Sequence, residues 1–381
     1  MCLADDKIAN KIDTMSDSFS AGEALIMTQT IFLLFSRAVL LYYSPIYKRN
    51  VDVFYGYDVV DFFVLMTVGV LTMLFVIHWI VWPTLQERTN LRILTKMIIY
   101  SAFMLFVLCV PVFISIQNII GLHPVRWMYR LTVSNTSHII YCAWWVFCIL
   151  FMFLGMSTSK NKDQVVRVFG LFNIPNILFR KFFHLMALVM FVYPTIHHPV
   201  FMLLSYGVAL SFFMFAESAR RVMYLACHSK YDPRDAAIVK TLDKIDASMK
   251  RFVDHRDSGP LVITHIYLLT GCTIPLLLSR VHTSDFLLPI CGVIMLGLGD
   301  TMATLAGVNF GRNKWFNGTN KTLEGTIGSI AAVCLFSCLL CHLTVHHVVA
   351  IVFTCLLEAF TNQIDNLILP FYMCVMLNLI K

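Results

Sequence analysis

Long apolar runs separated by short polar stretches set the pattern of this chain. A helix needs about 20 apolar residues to cross the hydrocarbon core of a bilayer. That measure gives candidate spans at roughly 24–44, 58–82, 95–119, 137–155, 178–196, 198–216, 260–280, 285–307, 325–343, 345–360 and 367–380. Pro194 and a short apolar length blur the span at 178–196, and the last two are short enough to be tilted or re-entrant. The expected fold is all-α, a polytopic membrane bundle of about 11 helices within a range of roughly 9–12. One segment, 217–259, departs from the pattern. There Ile238, Leu242, Ile245, Met249 and Phe252 recur at helical spacing, with Lys240, Asp243, Lys244, Lys250 and Arg251 between them. Such a segment forms either an amphipathic helix lying on a leaflet or a small helical hairpin packed on the membrane domain.

Composition strengthens the membrane reading. Hydrophobic residues make up 58% of the chain and charged residues 13%, against about 25% charged in a soluble domain. The net charge of +7 carries no nucleic-acid signal, because the basic residues sit in the loops between spans. With the N-terminus cytoplasmic, segments 1–23, 83–96, 156–181, 217–259 and 308–324 hold 22 of the 29 Lys and Arg residues. That bias fixes the orientation. The first 22 residues are polar and acidic and lead straight into a span, without the pattern of a cleavable signal. Most of the 12 cysteines, such as Cys109, Cys148, Cys291 and Cys334, lie inside apolar runs and read as packing residues rather than a disulfide framework. Cys338, Cys341 and His342 have haem-attachment spacing but occupy a spanning segment. Asn135, Asn317 and Asn320 begin N-x-S/T sequons, and of these only Asn135 falls on the lumenal side in this topology. No pattern specifies an oligomeric state.

Ionisable groups are costly inside a membrane and mark function. In the second half of the chain they gather toward one leaflet: His184, Glu217, His265, Asp300, Glu358 and Asp365 all fall near cytoplasmic span ends. The densest stretch runs from Gly297 to Gly328. Asp300, Ala303 and Gly307 share a helix face, and a polar loop follows with Gly311, Arg312, Lys314, Trp315, Gly318, Lys321, Thr322, Glu324 and Gly325. Glycines expose backbone N–H groups to phosphate oxygens, lysines neutralise a transferring phosphoryl group, and carboxylates hold the metal that bridges phosphates. Thr322 stands where it caps the next helix and aims its N-terminus at such a ligand. No Walker loop is present. The bland alternative is a basic cytoplasmic loop flanked by small-residue helix contacts.

The run Gly299-Asp300-x-x-Ala303-x-x-x-Gly307-x-x-x-Gly311, then Lys314-Trp315 and Lys321-Thr322-x-Glu324-Gly325-Thr326, resembles the signature of the CTP-dependent polyprenol kinases. That group includes dolichol, phytol and fungal diacylglycerol kinases, and is more distantly similar to phosphatidate cytidylyltransferases. Arg180-Lys181-x-x-His184 resembles its R-K-x-x-H box. Glu358 with Asp365, Asn366 and Pro370 resembles the C-terminal end of dolichol kinases, and Glu217 with Arg220 falls where the family carries an acidic–basic pair. The likeness covers roughly 178–372. The loop departs from the family in lacking a Pro-Gly after Trp315 and in being one residue longer before Lys321. The resemblance implies a catalytic membrane domain over 156–381, following an N-terminal membrane region, 1–155, of about four spans and no recognised motif. It implies a lipid-alcohol kinase of the endoplasmic reticulum membrane, with its site facing the cytoplasm, that phosphorylates dolichol to supply the lipid carrier for protein glycosylation. CTP would be the co-substrate and Mg2+ or another divalent cation the cofactor. Asp300 and Glu324 would be the metal ligands, with Asp300, Lys321, Glu324 and His184 catalytic. A related CTP-using lipid enzyme keeps the fold and changes the chemistry. A transporter would place its polar residues near the midplane in an inverted repeat, and neither feature is present.

The topology has a direct consequence. A cysteine introduced as Asn313→Cys should react with a membrane-impermeant maleimide from the cytoplasmic side, and labelling from the lumen alone would reject the orientation.

Overall fold

A computed structural model describes residues 123–157, 165–168, 172–229, 264–279, 285–316, 320–361 and 364–379, with a few isolated positions elsewhere. The expected spans at 24–44, 58–82 and 95–119, most of the amphipathic segment, and Gly318 lie outside the described residues. The described elements are α1 (Pro124–Val133), α2 (Thr136–Gly155), β1 (Met156–Ser157), β2 (Val165–Val168), β3 (Phe172–Pro175), α3 (Asn176–His197), α4 (Pro199–Ser229), α5 (Thr264–Leu278), α6 (Leu288–Phe310), α7 (Leu323–Leu340), α8 (Val345–Phe360) and α9 (Asp365–Leu379). Each expected span from 137 onward coincides with one of these helices to within a few residues, apart from the longer extension of α4. Among the described residues three helices are long and apolar enough to cross a membrane: Pro199–Glu217, Leu288–Phe310 and Leu323–Leu340. Val125–Val133 with Thr136–Phe151 makes a fourth if that bent pair is one span. The small antiparallel sheet, in the order β1-β2-β3, is an addition inside the segment read as a cytoplasmic loop.

The chain forms two compact units that interleave in sequence: Met1–Arg130 with Leu204–Ile266, and Leu131–Leu203 with Tyr267–Lys381. The second unit carries α2, α3 and α6 to α9. Its core is apolar, with Leu276, Leu288, Val293, Leu296, Val333 and Leu369 fully buried. Its outer surface is apolar as well, since Phe310, Leu335, Leu339 and Val345 are exposed. A soluble bundle would place charge there; a lipid-facing one has no reason to.

Small residues let the helices approach closely, as is usual between membrane helices. A Cβ on Gly325 of α7 would lie 2.7 Å from the Ala303 carbonyl of α6, one on Gly328 would lie 2.6 Å from the Ala306 Cβ, and one on Gly311 would lie 2.7 Å from Thr322 Cγ2. A Cβ on Gly297 would press on α3, 2.7 Å from the Leu188 Cβ. Helix α6 is not uniform. A 3₁₀ turn opens it at Leu288–Ile290, and a π-helical turn occupies Met295–Asp300 before α-geometry resumes at Thr301. Thr322 caps α7, its hydroxyl accepting the Gly325 N–H at 3.2 Å.

Gly325→Val should therefore force α6 from α7 and lower the thermal midpoint in detergent, at a cost of about 1–3 kcal/mol. Leu335→Val on the lipid-facing side should stay within about 0.5 kcal/mol of wild type. Equal midpoints for the two variants would contradict this packing.

Candidate functional site

The second unit buries charge at one end of its bundle. Asp300 closes the π turn of α6 and is 2% exposed. The Lys181 ammonium, from the first turns of α3, donates to its Oδ2. His184, one turn further along α3, is buried with its Nδ1 3.6 Å from the same oxygen. The Thr301 hydroxyl donates to the Lys181 carbonyl at 3.4 Å, tying α3 to α6 here. From the other side Lys321, just ahead of the Thr322 cap, donates to Glu358 Oε1 near the end of α8 and lies 3.8 Å from Asp365 Oδ2 at the start of α9. Carboxylate oxygens of Asp300, Glu358 and Asp365 all fall within 4.8 Å of one another, and all three residues are buried. Like charges so close in an apolar interior are tolerated only when cations meet them. The ammonium groups of Lys181 and Lys321 do so here.

The neighbouring residues support this cluster rather than join it. Ser329 donates to the Gly299 carbonyl at 2.9 Å, fixing the π turn against α7. Asn366 is buried next to Asp365. The loop between α6 and α7 folds back on itself: Lys314 bridges to Thr322, Trp315 N–H donates to the Lys321 carbonyl at 3.3 Å, and Trp315 Nε1 donates to Thr326 Oγ1 at 3.0 Å. The Trp315 ring packs on Phe360 with centroids 5.1 Å apart. Those contacts hold Lys321 toward Glu358.

The expected site residues thus divide. Asp300, Lys181, His184, Lys321, Glu358 and Asp365 come together. Ala303, Gly307, Gly311 and Gly325 lie in the close α6–α7 contact, where their small size serves helix approach. Arg312 and Lys314 are exposed on the loop. Glu324, expected beside Asp300 as a ligand, is half-buried and accepts from Asn313, at 3.1 Å from its N–H and 2.9 Å from its Nδ2. Arg180 is half-buried one turn before His184. Glu217 and Arg220 pair with each other at 2.6 Å in the first unit, where the His265 ring stacks on Phe213. The sequence marked Glu358 and Asp365 as candidates without a role. Their signal was two carboxylates flanking the turn between adjacent apolar helices, at the end of the bundle where Asp300 lies.

No family model matches the chain, and no solved structure matches it. Curated proteins do. The dolichol kinase EVAN of Arabidopsis thaliana is 28% identical over 95% of the chain and 65% of its own length. The human dolichol kinase is 27% identical over 94% of the chain and 65% of its length. Dolichol kinase sec59 of Schizosaccharomyces pombe is 30% identical over 68% of the chain and 51% of its length. The chain is similar to these dolichol kinases over most of its length. It spans about 65% of the length of the first two of these relatives. Similarity to dolichol kinases over 95% of the chain also reaches well into residues 1–155, where the sequence offered no recognised motif.

The charge balance makes the cluster testable as a unit. Lys181→Met leaves three buried carboxylates to Lys321 and should cost on the order of 3–5 kcal/mol, the range for stranding a buried charge. Asp300→Asn removes the excess carboxylate and should cost less. Adding Asp300→Asn to Lys181→Met should restore part of the lost thermal midpoint, whereas simply additive losses would show that the pair is not coupled.

Proposed function

We propose that this chain carries the catalytic membrane domain of a CTP-dependent dolichol kinase. It would transfer the γ-phosphoryl group of CTP to the hydroxyl of dolichol at the cytoplasmic face of the endoplasmic reticulum membrane, and so supply dolichyl phosphate for protein glycosylation. The observation that carries the reading is the buried group Asp300, Glu358 and Asp365, met by Lys181 and Lys321 at the end of an apolar bundle. Similarity to dolichol kinases supports the acceptor, and the family resemblance of the Gly299–Thr326 motif supports the donor. The physics of the substrates agrees. Dolichol is too apolar to leave the bilayer and a nucleotide too charged to enter it, so the reaction belongs at a helix end.

The oxygen-only donor set of Asp300, Glu358 and Asp365 fits Mg2+ or another hard divalent cation. Bound there, such an ion would neutralise charge on the phosphates during transfer. The protein's own groups then divide the remaining work. Lys181 and Lys321, engaged with carboxylates here, would offer their ammonium groups to phosphate oxygens when the nucleotide binds. Arg312 and Lys314 on the exposed loop draw the nucleotide to the surface. His184, next to Asp300, holds a phosphate oxygen or takes the proton that the dolichol hydroxyl gives up as the new O–P bond forms and the bond to the CDP leaving group breaks. A loose transition state asks little of a base, which favours the binding role. Glu324 acts by holding the loop through Asn313.

Purified protein assayed with γ-labelled CTP or ATP against a panel of lipid alcohols tests the reading. Dolichol should be the preferred acceptor and CTP the preferred donor. Asp300→Asn should remain folded while losing nearly all turnover and shifting the Mg2+ dependence of what remains. A stable Asp300→Asn protein with near-normal turnover and unaltered Mg2+ dependence would move the active site elsewhere.

A further inference from the structure

A second cluster of ligating side chains lies in the same unit, away from the proposed kinase site. Asp285 precedes α6, and His346 and His347 sit in the first turn of α8. One ligand atom from each comes within 4.8 Å of the other two. His347 is buried, with its Nε2 3.4 Å from Asp285 Oδ1, and the other two residues are half-buried. The two imidazole rings lie 4.0 Å apart between centroids. Eleven residues of α8 separate His347 from Glu358, which is about 16 Å of helix. The two clusters therefore occupy opposite ends of α8.

We propose that Asp285, His346 and His347 form a binding site for a borderline divalent transition metal, with Zn2+ first in order. Two imidazoles and one carboxylate make the donor set of an open zinc site, with a remaining position for water. Imidazole nitrogen discriminates against Mg2+, whereas the oxygen-only group of Asp300, Glu358 and Asp365 favours it. One bundle would thus carry two sites of different selectivity.

The local hydrogen bonds bear on how His347 can ligate. Asp285 Oδ1 accepts the Leu287 N–H at 3.0 Å, which fixes the carboxylate against the entry of α6. Thr344 caps α8, and its N–H donates to His347 Nδ1 at 3.2 Å. In that tautomer the ring proton is on Nε2 and faces Asp285. A metal at Nε2 requires the proton to move to Nδ1. There the Thr344 hydroxyl, 2.9 Å away, accepts it, and the Thr344 N–H gives up Nδ1 as its acceptor. The same hydroxyl lies 2.7 Å from His346 Nδ1. Thr344 is accordingly the positioning residue for both rings, in the manner of the outer partners that orient metal-bound histidines. Once bound, the ion would tie the entry of α6 to the entry of α8, two helices that carry Asp300 and Glu358 further along.

The test uses the full chain in detergent, without a histidine tag, stripped by a chelator and titrated with Zn2+ while bound metal and thermal midpoint are both followed. Wild type should take up Zn2+ at a site that millimolar Mg2+ does not displace, and its midpoint should rise. His346→Ala with His347→Ala should lose that uptake, as should Asp285→Asn, while Asp300→Asn retains it. Thr344→Val should weaken binding by about 10–100-fold. Metal-free midpoints of the variants separate loss of the site from loss of the fold, and His347→Gln offers a milder change should the double variant fail to fold. Equal Zn2+ uptake in wild type and in a folded ligand variant, or displacement by Mg2+, would overturn the proposal. Because no readout is kinase activity, the result stands apart from the kinase reading.

Discussion

Everything at the polar end of the second unit depends on one constraint: a carboxylate cannot stay ionised in an apolar interior without cations close by. Asp300, Glu358 and Asp365 lie together where neither lipid nor water can solvate them. The ammonium groups of Lys181 and Lys321 offset their charge. Those lysines arrive from different places, one from the start of α3 and one from the loop ahead of α7. The helices that bear the carboxylates must then meet those that bear the lysines. Pairing of opposite charges, more than apolar contact, determines which helix ends come together. Apolar contact alone selects poorly in a membrane, since lipid tails are as apolar as Leu.

The same arrangement explains the two kinds of residue in the Gly297–Gly328 stretch. Asp300 and Lys321 are held in the cluster, while Ala303, Gly307 and Gly325 let the backbones of α6 and α7 run close enough to bring it together. Sequence alone leaves both roles open for a glycine, because close approach to a ligand and close approach to a helix impose the same demand for small size. The contacts separate them. Thr322, read as a cap, caps α7. Glu324, read as a ligand, is engaged by Asn313.

Much of the helical layout was legible because apolar runs of membrane length carry a strong signal. Helices α2, α5 and α8 begin and end close to where hydropathy alone puts them. The gathering of His184, Asp300, Glu358 and Asp365 at one end of the bundle was legible too, since each falls at the same end of its run. Which carboxylate meets which lysine was not, because Lys181 and Asp300 are 119 positions apart and their pairing is purely tertiary. The small sheet at 156–175 escaped notice because its two longer strands have only four residues each. The pairing of Asp285 with His347 escaped for the opposite reason. Histidines beside a predicted loop read as ordinary helix-end residues until another helix brings a carboxylate to them.

The π turn at Met295–Asp300 makes α6 two helices that share an axis but not a facing. A wide turn accommodates one residue more than an α-helical path, and one residue corresponds to about 100° of rotation. Up to Ile294, α6 follows the phase that buries Val293 and Ile294. From Thr301 onward it follows the phase that lays Ala303 and Gly307 along α7. Asp300 stands at the step between the two. The quantity under constraint there is residue count. Many apolar side chains can occupy Met295 to Leu298, but a segment one residue shorter restores a continuous α-helix and turns either the carboxylate or the small-residue face away from its partners.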